Sequence, residues 1–346
     1  MNLFSKLNKL FSEALLCLLS FLPYLYERKI YSNENYIHLK NVKVIGPYGI
    51  IINNKKINLN TFRDLGNFKN RLKKTLNYHG ISRILFFSFY DYGVIDDCCG
   101  YLVSRHGRDV GQPNYAHFIL ENLTQLKDLK HWEKSNNQTL KIFTGPKPPD
   151  WVLEYLNLLG IKKEQIIYTT KSLTKFKCLI VPKLHPINSS DWDFDLEGIK
   201  WIRERLSKEL QKNKYPERIF ISRQSISRRK IINYSELINI LENFNFHVFE
   251  PQKMSVSEQY HLFNNAKILI GPSGAAWSNL IYSQNAHIID LRPEYVEDSM
   301  YEDLALKMNL KYHKIETSHK VKSPTKSDDL IVNVEQLKYI LNNIIQ

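Results

Sequence analysis

His117 and Glu121 stand four residues apart in NYAHFILENLTQL, residues 114–126. On a helix that spacing puts both side chains on one face, where the carboxylate can orient the imidazole or bind a substrate itself. An unperturbed imidazole titrates near about 6.5, which suits a general base at neutral pH. Arg223 follows the apolar run Ile219-Phe220-Ile221, with Arg228 and Arg229 a few residues further on. A guanidinium at the end of a strand can grip a phosphate through two parallel N–H bonds. Glu250 closes another short apolar run, where its carboxylate can accept hydrogen bonds from ribose or sugar hydroxyls. A third run, Ile268-Leu269-Ile270, stops at Gly271-Pro272-Ser273-Gly274, and Ala275 and Ala276 follow. The first N–H groups of a helix have no internal partner and carry partial positive charge, so they bind phosphate well. Gly274, Ala275 and Ala276 leave room for a ligand to approach the backbone. Each feature alone has an ordinary reading as well: a buried structural histidine, a surface ion pair, a tight strand-to-helix turn.

Other chemistry is weaker. Asp91, Asp96 and Asp97 are rival carboxylates in a stretch read as a glycine-containing loop. Asp191-Trp192-Asp193 and Asp193-Phe194-Asp195 both match the letters of a DxD metal motif, but three letters match easily by chance. No metal site is expected. Neither the GxGxxG fingerprint nor a Walker A loop occurs, which argues against a nicotinamide dehydrogenase and a P-loop enzyme.

The elements that must position these residues follow from the hydrophobic pattern. No repeat of 20–50 residues occurs. Residues 36–60 read as a β-hairpin region around Gly46-Pro47-Tyr48-Gly49. Strands are expected at 84–87, 101–103, 140–143, 165–168 and 178–181. A helix from Tyr115 carries Phe118, Ile119, Leu123, Leu126 and Leu129 mostly on one side, and a second, from Trp151 to Leu159, ends at Gly160. Residues 183–197 read as loop and Gly198 to Gln211 as helix. From Arg218 onward the pattern is a regular β-α alternation of five short apolar strands. Its helices start at Tyr234 (Ser235 as N-cap), Ser257, Ala275, Asp298 and Val334. Such alternation implies a parallel, doubly wound sheet, whose ligands sit at the carboxyl ends of the strands. The chain is therefore divided into an apolar N-terminal helix (1–30), an α/β domain (31–212) and a C-terminal Rossmann-like domain (213–346).

Bulk properties bound the rest. The 346 residues carry a formal net charge of +13, and 43% are hydrophobic, so the chain can build cores and is not disordered. The positive balance favours anionic partners, yet no RNA- or DNA-binding pattern is present and the basic residues are dispersed. A basic nucleic-acid or polyanion binder is thus an alternative reading, and nucleic acid is not the expected partner. The four cysteines, Cys17, Cys98, Cys99 and Cys178, lack zinc-ligand spacing and read as reduced thiols of a cytoplasmic protein. Residues 14–22 are apolar apart from Ser20 but too short to span a bilayer, which needs about 20 apolar residues. The helical spacing of Leu3, Phe4, Leu7, Leu10 and Phe11 fits either an interfacial helix at a membrane surface or one packed on the protein's own core.

Three segments taken in order, NYAHFILENLTQL, ISRQSISRRKIINYSEL and FEPQKMSVSEQYHLFNNAKILIGPSGAAWSNLIY, resemble glycosyltransferase family 61 over roughly residues 95–295. The resemblance implies a GT-B-like fold, with two Rossmann-like α/β domains facing a cleft. It also implies an inverting transfer of sugar from a nucleotide-sugar donor to a glycan or lipid-linked glycan acceptor. The pathway would be assembly of a surface polysaccharide, a capsule or lipopolysaccharide. It places the donor diphosphate near Arg223, Arg228 and the turn from Gly271 to Asn279, with Ser273, Gly274, Ala275 and Ala276 between, and Glu250 on the donor side. His117 becomes the base that deprotonates the acceptor hydroxyl, with Glu121 beside it. No cofactor or metal is obligatory. Many relatives carry histidine where this chain has Ser273, which can donate a hydrogen bond but holds no positive charge. A noncatalytic scaffold that keeps the fold is the other alternative. The expected location is the cytoplasm, peripheral at the inner face of the plasma membrane.

Overall fold

The computed structural model describes residues 26–27, 35–46, 49–54, 56–58, 60, 72–74, 92–104, 112–171, 173–185, 193–210, 213–293, 299–321, 325 and 328–345. The apolar segment up to residue 25, the strand expected at 84–87, and Asp91, Asp191 and Cys17 lie outside the described residues. The chain divides into two compact units, Met1–Ile187 with Asp193–Arg205, and Asn188–Trp192 with Leu206–Gln346.

The N-terminal unit is built on a mixed sheet of eight strands: β1 (Tyr26–Glu27), β2 (Tyr36–Ile45), β3 (Ile50–Asn53), β4 (Lys56–Asn58), β5 (Tyr92–Tyr101), β6 (Lys141–Phe143), β7 (Ile166–Ile167) and β8 (Leu173–Pro182). Their order is β1-β4-β3-β2-β8-β5-β6-β7. Strands β2, β3 and β4 pair antiparallel because their connections are turns of a few residues, too short to carry a parallel crossover. Gly46 and Gly49 take positive φ in the first turn, at 65° and 67°. Strand β2 runs antiparallel to β8, while β8, β5, β6 and β7 run parallel. The sheet is therefore mixed, where the sequence pointed to a second Rossmann-like domain. Leu39, Val44, Cys99, Tyr101, Phe143 and Phe176 are in its core.

Asp96 and Asp97 lie within β5, not in a loop. A register shift between Ile95 and Cys98 marks a bulge at that point, and Asp96 pairs with Lys177 of β8 at 2.8 Å. Cys98 of β5 faces Cys178 of β8 across the parallel ladder, and the two form a disulfide with a Cα–Cα distance of 4.5 Å. The expectation of reduced thiols fails for this pair, because the sheet brings together strands separated by 80 residues. Cys99, one position on, is buried and free.

Several helices among the described residues belong wholly or partly to this unit. Helix α1 (Tyr115–His117) runs on through a π-helical turn (Phe118–Asn122) and a 3-10 turn (Leu123–Gln125) into α2 (Leu126–Asn136). Helix α3 (Asp150–Leu158) is stopped near Gly160, at φ 81°. The division between units falls inside α4 (Leu196–Glu209).

The C-terminal unit carries a wholly parallel sheet of five strands: β9 (Arg218–Ile221), β10 (His247–Phe249), β11 (Ile268–Pro272), β12 (His287–Pro293) and β13 (Lys311–Thr317). The spatial order is β10-β9-β11-β12-β13. Numbered one to five along the chain, this is 2-1-3-4-5, whose direction reverses between β9 and β11. In doubly wound folds that reversal opens a crevice at the carboxyl ends of the two strands. The intervening helices are α5 (Tyr234–Asn243), α6 (Val256–Asn265), a 3-10 helix (Ala275–Tyr282), α7 (Met300–Lys307) and α8 (Val334–Ile344). Ser255 and Glu258 form a capping box on α6. Asn233 stands at the cap position of α5, where the sequence pointed to Ser235. Phe220, Leu237, Ile270, Ile289, Leu291 and Leu337 are in the core of this unit. Near-continuous burial along β11 and β12 is what a parallel sheet covered on both faces demands.

Candidate functional site

Two groups of side chains carry chemistry, one in each unit. In the C-terminal unit Ser222 and Arg223 leave the end of β9, and the Gly271–Gly274 turn leaves the end of β11, on either side of the reversal. The backbones approach so closely that a Cβ on Gly271 would lie 2.7 Å from Cβ of Ile221. A Cβ on Gly274 would lie 2.6 Å from Nη1 of Arg223. The glycines of the turn are thus there to admit β9 and the arginine that follows it.

Arg223 is largely buried, and its Nε has no hydrogen-bond partner. Burial, then the neighbouring Arg229 and Arg228, push its guanidinium down to about 10. No carboxylate pairs with it among the described residues. Arg229 and Arg228 thus add positive charge around Arg223, an arrangement that favours an anion there. Arg229, at φ 55°, donates from Nη1 to the Ser273 carbonyl and so holds the turn. The Ser273 amide is spent on the Leu291 carbonyl, at 3.0 Å. The Ala275 and Ala276 amides lie in the first turn of the 3-10 helix, where no intrahelical acceptor exists.

Behind the turn lies a network that sequence reasoning missed. Asp290 of β12 is fully buried and accepts from Trp277 Nε1 at 2.8 Å and from Tyr312 hydroxyl at 2.6 Å. Burial pushes its carboxyl up; Tyr312, Trp277, Arg292 and a Ser273 hydrogen bond pull the other way. The Ser273 side chain is thus oriented by an acid beneath the turn. The available signal was a charged residue inside the otherwise apolar run His287–Leu291.

The remaining donor-side residues divide. Glu250 sits just past β10, paired with Lys253 and accepting from the Ser225 amide at 3.2 Å. Lys253, then Ser225, hold its carboxyl below the usual range. A cavity of about 510 Å³ opens beside it, lined in part by Tyr215, Ser222, Gln224, Phe249 and Glu250. The Tyr215 and Phe249 rings meet edge-on at 5.9 Å. Asn279, by contrast, is fully buried and donates to Gln259 Oε1 at 2.8 Å. Its amide ties the 3-10 helix to α6.

In the N-terminal unit His117 closes α1, capped by Asn114 through a 3.3 Å bond to the His117 amide. Its Nδ1 lies 3.2 Å from Oε1 of Glu121. The His117 side chain is 27% exposed and that of Glu121 only 2%. The intervening backbone is the π-helical turn, an extra-residue device frequent at functional sites. The two side chains meet as the four-residue spacing implied, but the helix between them is not a regular one. A buried Glu121 can orient the ring through Nδ1 and stabilise it when protonated. The Tyr115 ring lies tilted against Trp151 at 5.1 Å and hydrogen-bonds Tyr155 hydroxyl to hydroxyl at 2.9 Å, which fixes the start of this helix.

Of the two DxD stretches, the second, Asp193 to Asp195, lies within the described residues. Asp195 is buried and accepts from the Gly198 amide at 2.8 Å at the start of α4, with Lys127 Nζ at 3.4 Å. It caps a helix. Asp193 is exposed and lies 3.4 Å from His185. Asp128, close to Lys127 and Asp195, is pushed up to about 6, chiefly by burial.

The parallel sheet in 2-1-3-4-5 order, with its glycine turn at the reversal, defines the C-terminal unit as a doubly wound α/β unit. Residues 115–289 match the family model described as glycosyltransferase 61. That span is more than half of the chain, and the chain belongs to glycosyltransferase family 61. No curated protein matches it. Among solved structures, similarity is found to the dodecameric iron-containing heptosyltransferase TibC in complex with ADP-D-beta-D-heptose. The identity is 14% and the TM-score 0.29, over 60% of this chain and 61% of that one. The chain thus spans about three fifths of that relative, a likeness too slight to carry a structural argument. Among the described residues no helix is long and apolar enough to cross a membrane.

Proposed function

We propose that this chain transfers a sugar from a nucleotide-sugar donor to a glycan acceptor. The observation that carries the reading is Arg223: a buried guanidinium with an unpartnered Nε, repelled by two further arginines, at the strand-order reversal of a parallel sheet. The donor diphosphate supplies the missing negative charge. Arg223 and the Ala275 and Ala276 amides hold it, and they stabilise it as it departs. The nucleoside occupies the cavity by Tyr215 and Phe249, where Glu250 meets ribose hydroxyls. His117, oriented by Glu121, takes the proton from the acceptor hydroxyl as that oxygen attacks the anomeric carbon with inversion. Arginine and amide charge do the work that a divalent ion does elsewhere, so transfer is metal-independent. The GT-B arrangement, a lipid-linked acceptor at the inner membrane face, and a capsule or lipopolysaccharide product belong to the same reading.

The test is a thermal-shift screen against UDP-, GDP-, CMP- and dTDP-sugars with and without magnesium. A ligand that binds only the folded state raises the melting temperature. One nucleotide class is expected to do so without magnesium, and Arg223→Met to abolish the shift. The ligand-free variant should melt no lower than wild type, because it loses a buried, repelled charge of similar volume. An unchanged ligand shift in Arg223→Met would remove the assignment.

A further inference from the structure

The disulfide corner of the N-terminal unit holds a third side chain. His38 lies on β2, Cys178 on β8 and Cys98 on β5, three strands adjacent in the sheet order. His38 pairs with Ile180 and Cys178 with Lys40, so His38 and Cys178 are diagonal neighbours on one sheet face. The β5 bulge between Ile95 and Cys98 sets Cys98 level with Cys178. Nε2 of His38 is 3.3 Å from Sγ of Cys178, and the three donor atoms all lie within 4.8 Å of one another. Trp132 of α2 meets the His38 ring edge-on at 6.2 Å and limits its rotation.

We propose that with its thiols reduced this corner is a metal site, binding a divalent ion of zinc type through two thiolates and one imidazole. Zn–S bonds of about 2.3 Å and Zn–N bonds of about 2.0–2.1 Å place tetrahedral ligands roughly 3.8 Å apart for S···S and 3.5 Å for S···N. The His38–Cys178 separation already has the second value to within a few tenths of an ångström. Two sulfurs freed from their bond reach the first by ordinary contact. His38 is exposed and Cys178 half-buried, so the ion has access and water takes the fourth position. The donor set of soft sulfur with imidazole selects zinc over magnesium or calcium. Opening the disulfide takes an electron pair from a phosphine reductant and oxygen and two protons from water. It gives two thiols and the phosphine oxide, and ion binding then releases the two thiol protons. The ion would staple β2, β8 and β5 together. It is separate from the proposed sugar transfer, and its test does not depend on that activity.

Cobalt(II) titration of the phosphine-reduced full-length protein reads the site directly. One equivalent should produce the thiolate-to-cobalt charge-transfer absorbance and the d–d bands of a tetrahedral site. Zinc should displace it and raise the melting temperature of the reduced protein. The Cys17→Ser/Cys99→Ser double variant should keep the spectrum, since Cys99 is buried on the opposite sheet face. Cys178→Ser should lose the charge-transfer band. His38→Gln, at an exposed position that threatens folding least, should weaken binding by more than the ~10–100-fold that loss of an outer partner costs. No charge-transfer band in the reduced wild type would overturn the proposal and leave a disulfide alone. So would a band that survives Cys178→Ser, or unchanged affinity in His38→Gln.

Discussion

In the C-terminal unit Arg223 stands past the end of β9 with two further arginines near it and no carboxylate paired with it among the described residues. In the N-terminal unit His117 is answered at once by a buried Glu121, 3.2 Å away. The first arrangement is unfavourable as it stands and improves when an anion arrives. The second already pairs an imidazole with a carboxylate, and its charge changes when a proton moves. An unbalanced site is suited to binding, a balanced pair to proton transfer, and a sugar transferase needs one of each. The contrast extends to the scaffolds. The arginines and the turn sit on a parallel sheet of consecutive β-α units, whereas His117 sits on a helix whose backbone is widened by a π-helical turn.

Substitutions that separate binding from turnover test this contrast most sharply. His117→Ala should lower turnover by ~10²–10⁴-fold, the usual worth of a general base, with donor affinity unchanged. Steady-state kinetics with the donor that the thermal-shift screen identifies would show it, and a fall in donor affinity instead would break the division of roles. Gly274→Ala should do the opposite. Its Cβ would displace the Arg223 guanidinium and weaken nucleotide binding by ~10–100-fold, measured by calorimetry, the loss expected for a charge-assisted contact. Gly271→Ala forces a methyl against Ile221 and its backbone carbonyl, so it should cost about 1–3 kcal/mol of stability in chemical denaturation, whether or not nucleotide is present. If Gly271→Ala and Gly274→Ala behaved alike, the turn would be a packing device only.

The smallest effect is electrostatic and belongs to the N-terminal unit. Burial raises Asp128 to about 6 in the fold, above its unfolded value near about 3.9. A raised carboxyl contributes stability that is present below the unfolded value and lost as pH climbs through the folded one. Asp128→Asn should therefore gain in melting temperature relative to wild type between pH 4 and pH 7, by a few degrees at most. A difference that stays flat over that window would mean Asp128 is ionised throughout.

Much of the C-terminal unit was legible because its pattern is local. Each strand is a short apolar run, each helix follows within a few residues, and the glycine turn stands at a strand end in the sequence as in the fold. Glu121 was legible for the same reason, since four residues along a helix is a local distance. Other features were less legible, for a different cause. Asp96 and Asp97 look like loop residues because β5 carries them on exposed positions near its bulge. Asp195 looks like half of a metal motif and is a helix cap. Asn279 looks like part of the ligand turn, yet its amide is taken by Gln259, 20 positions away. Lys177 and Gln259 are too far away in sequence to leave a pattern, whereas the Asp195 cap on Gly198, three positions on, was a local signal.

By itself the sequence determined the β-α alternation, the arginines at a strand end, the glycines where backbones close in, and the histidine–glutamate spacing. These depend on hydrophobic period and on contacts within a few residues. Only the tertiary structure decided that β2, β8 and β5 lie side by side, that Cys98 meets Cys178 next to His38, and that Asp290 stands beneath Ser273. It also decided that Arg223 Nε has no hydrogen-bond partner among the described residues. Burial and pairing between distant segments depend on how the whole chain closes on itself, and no single stretch of residues encodes that closure.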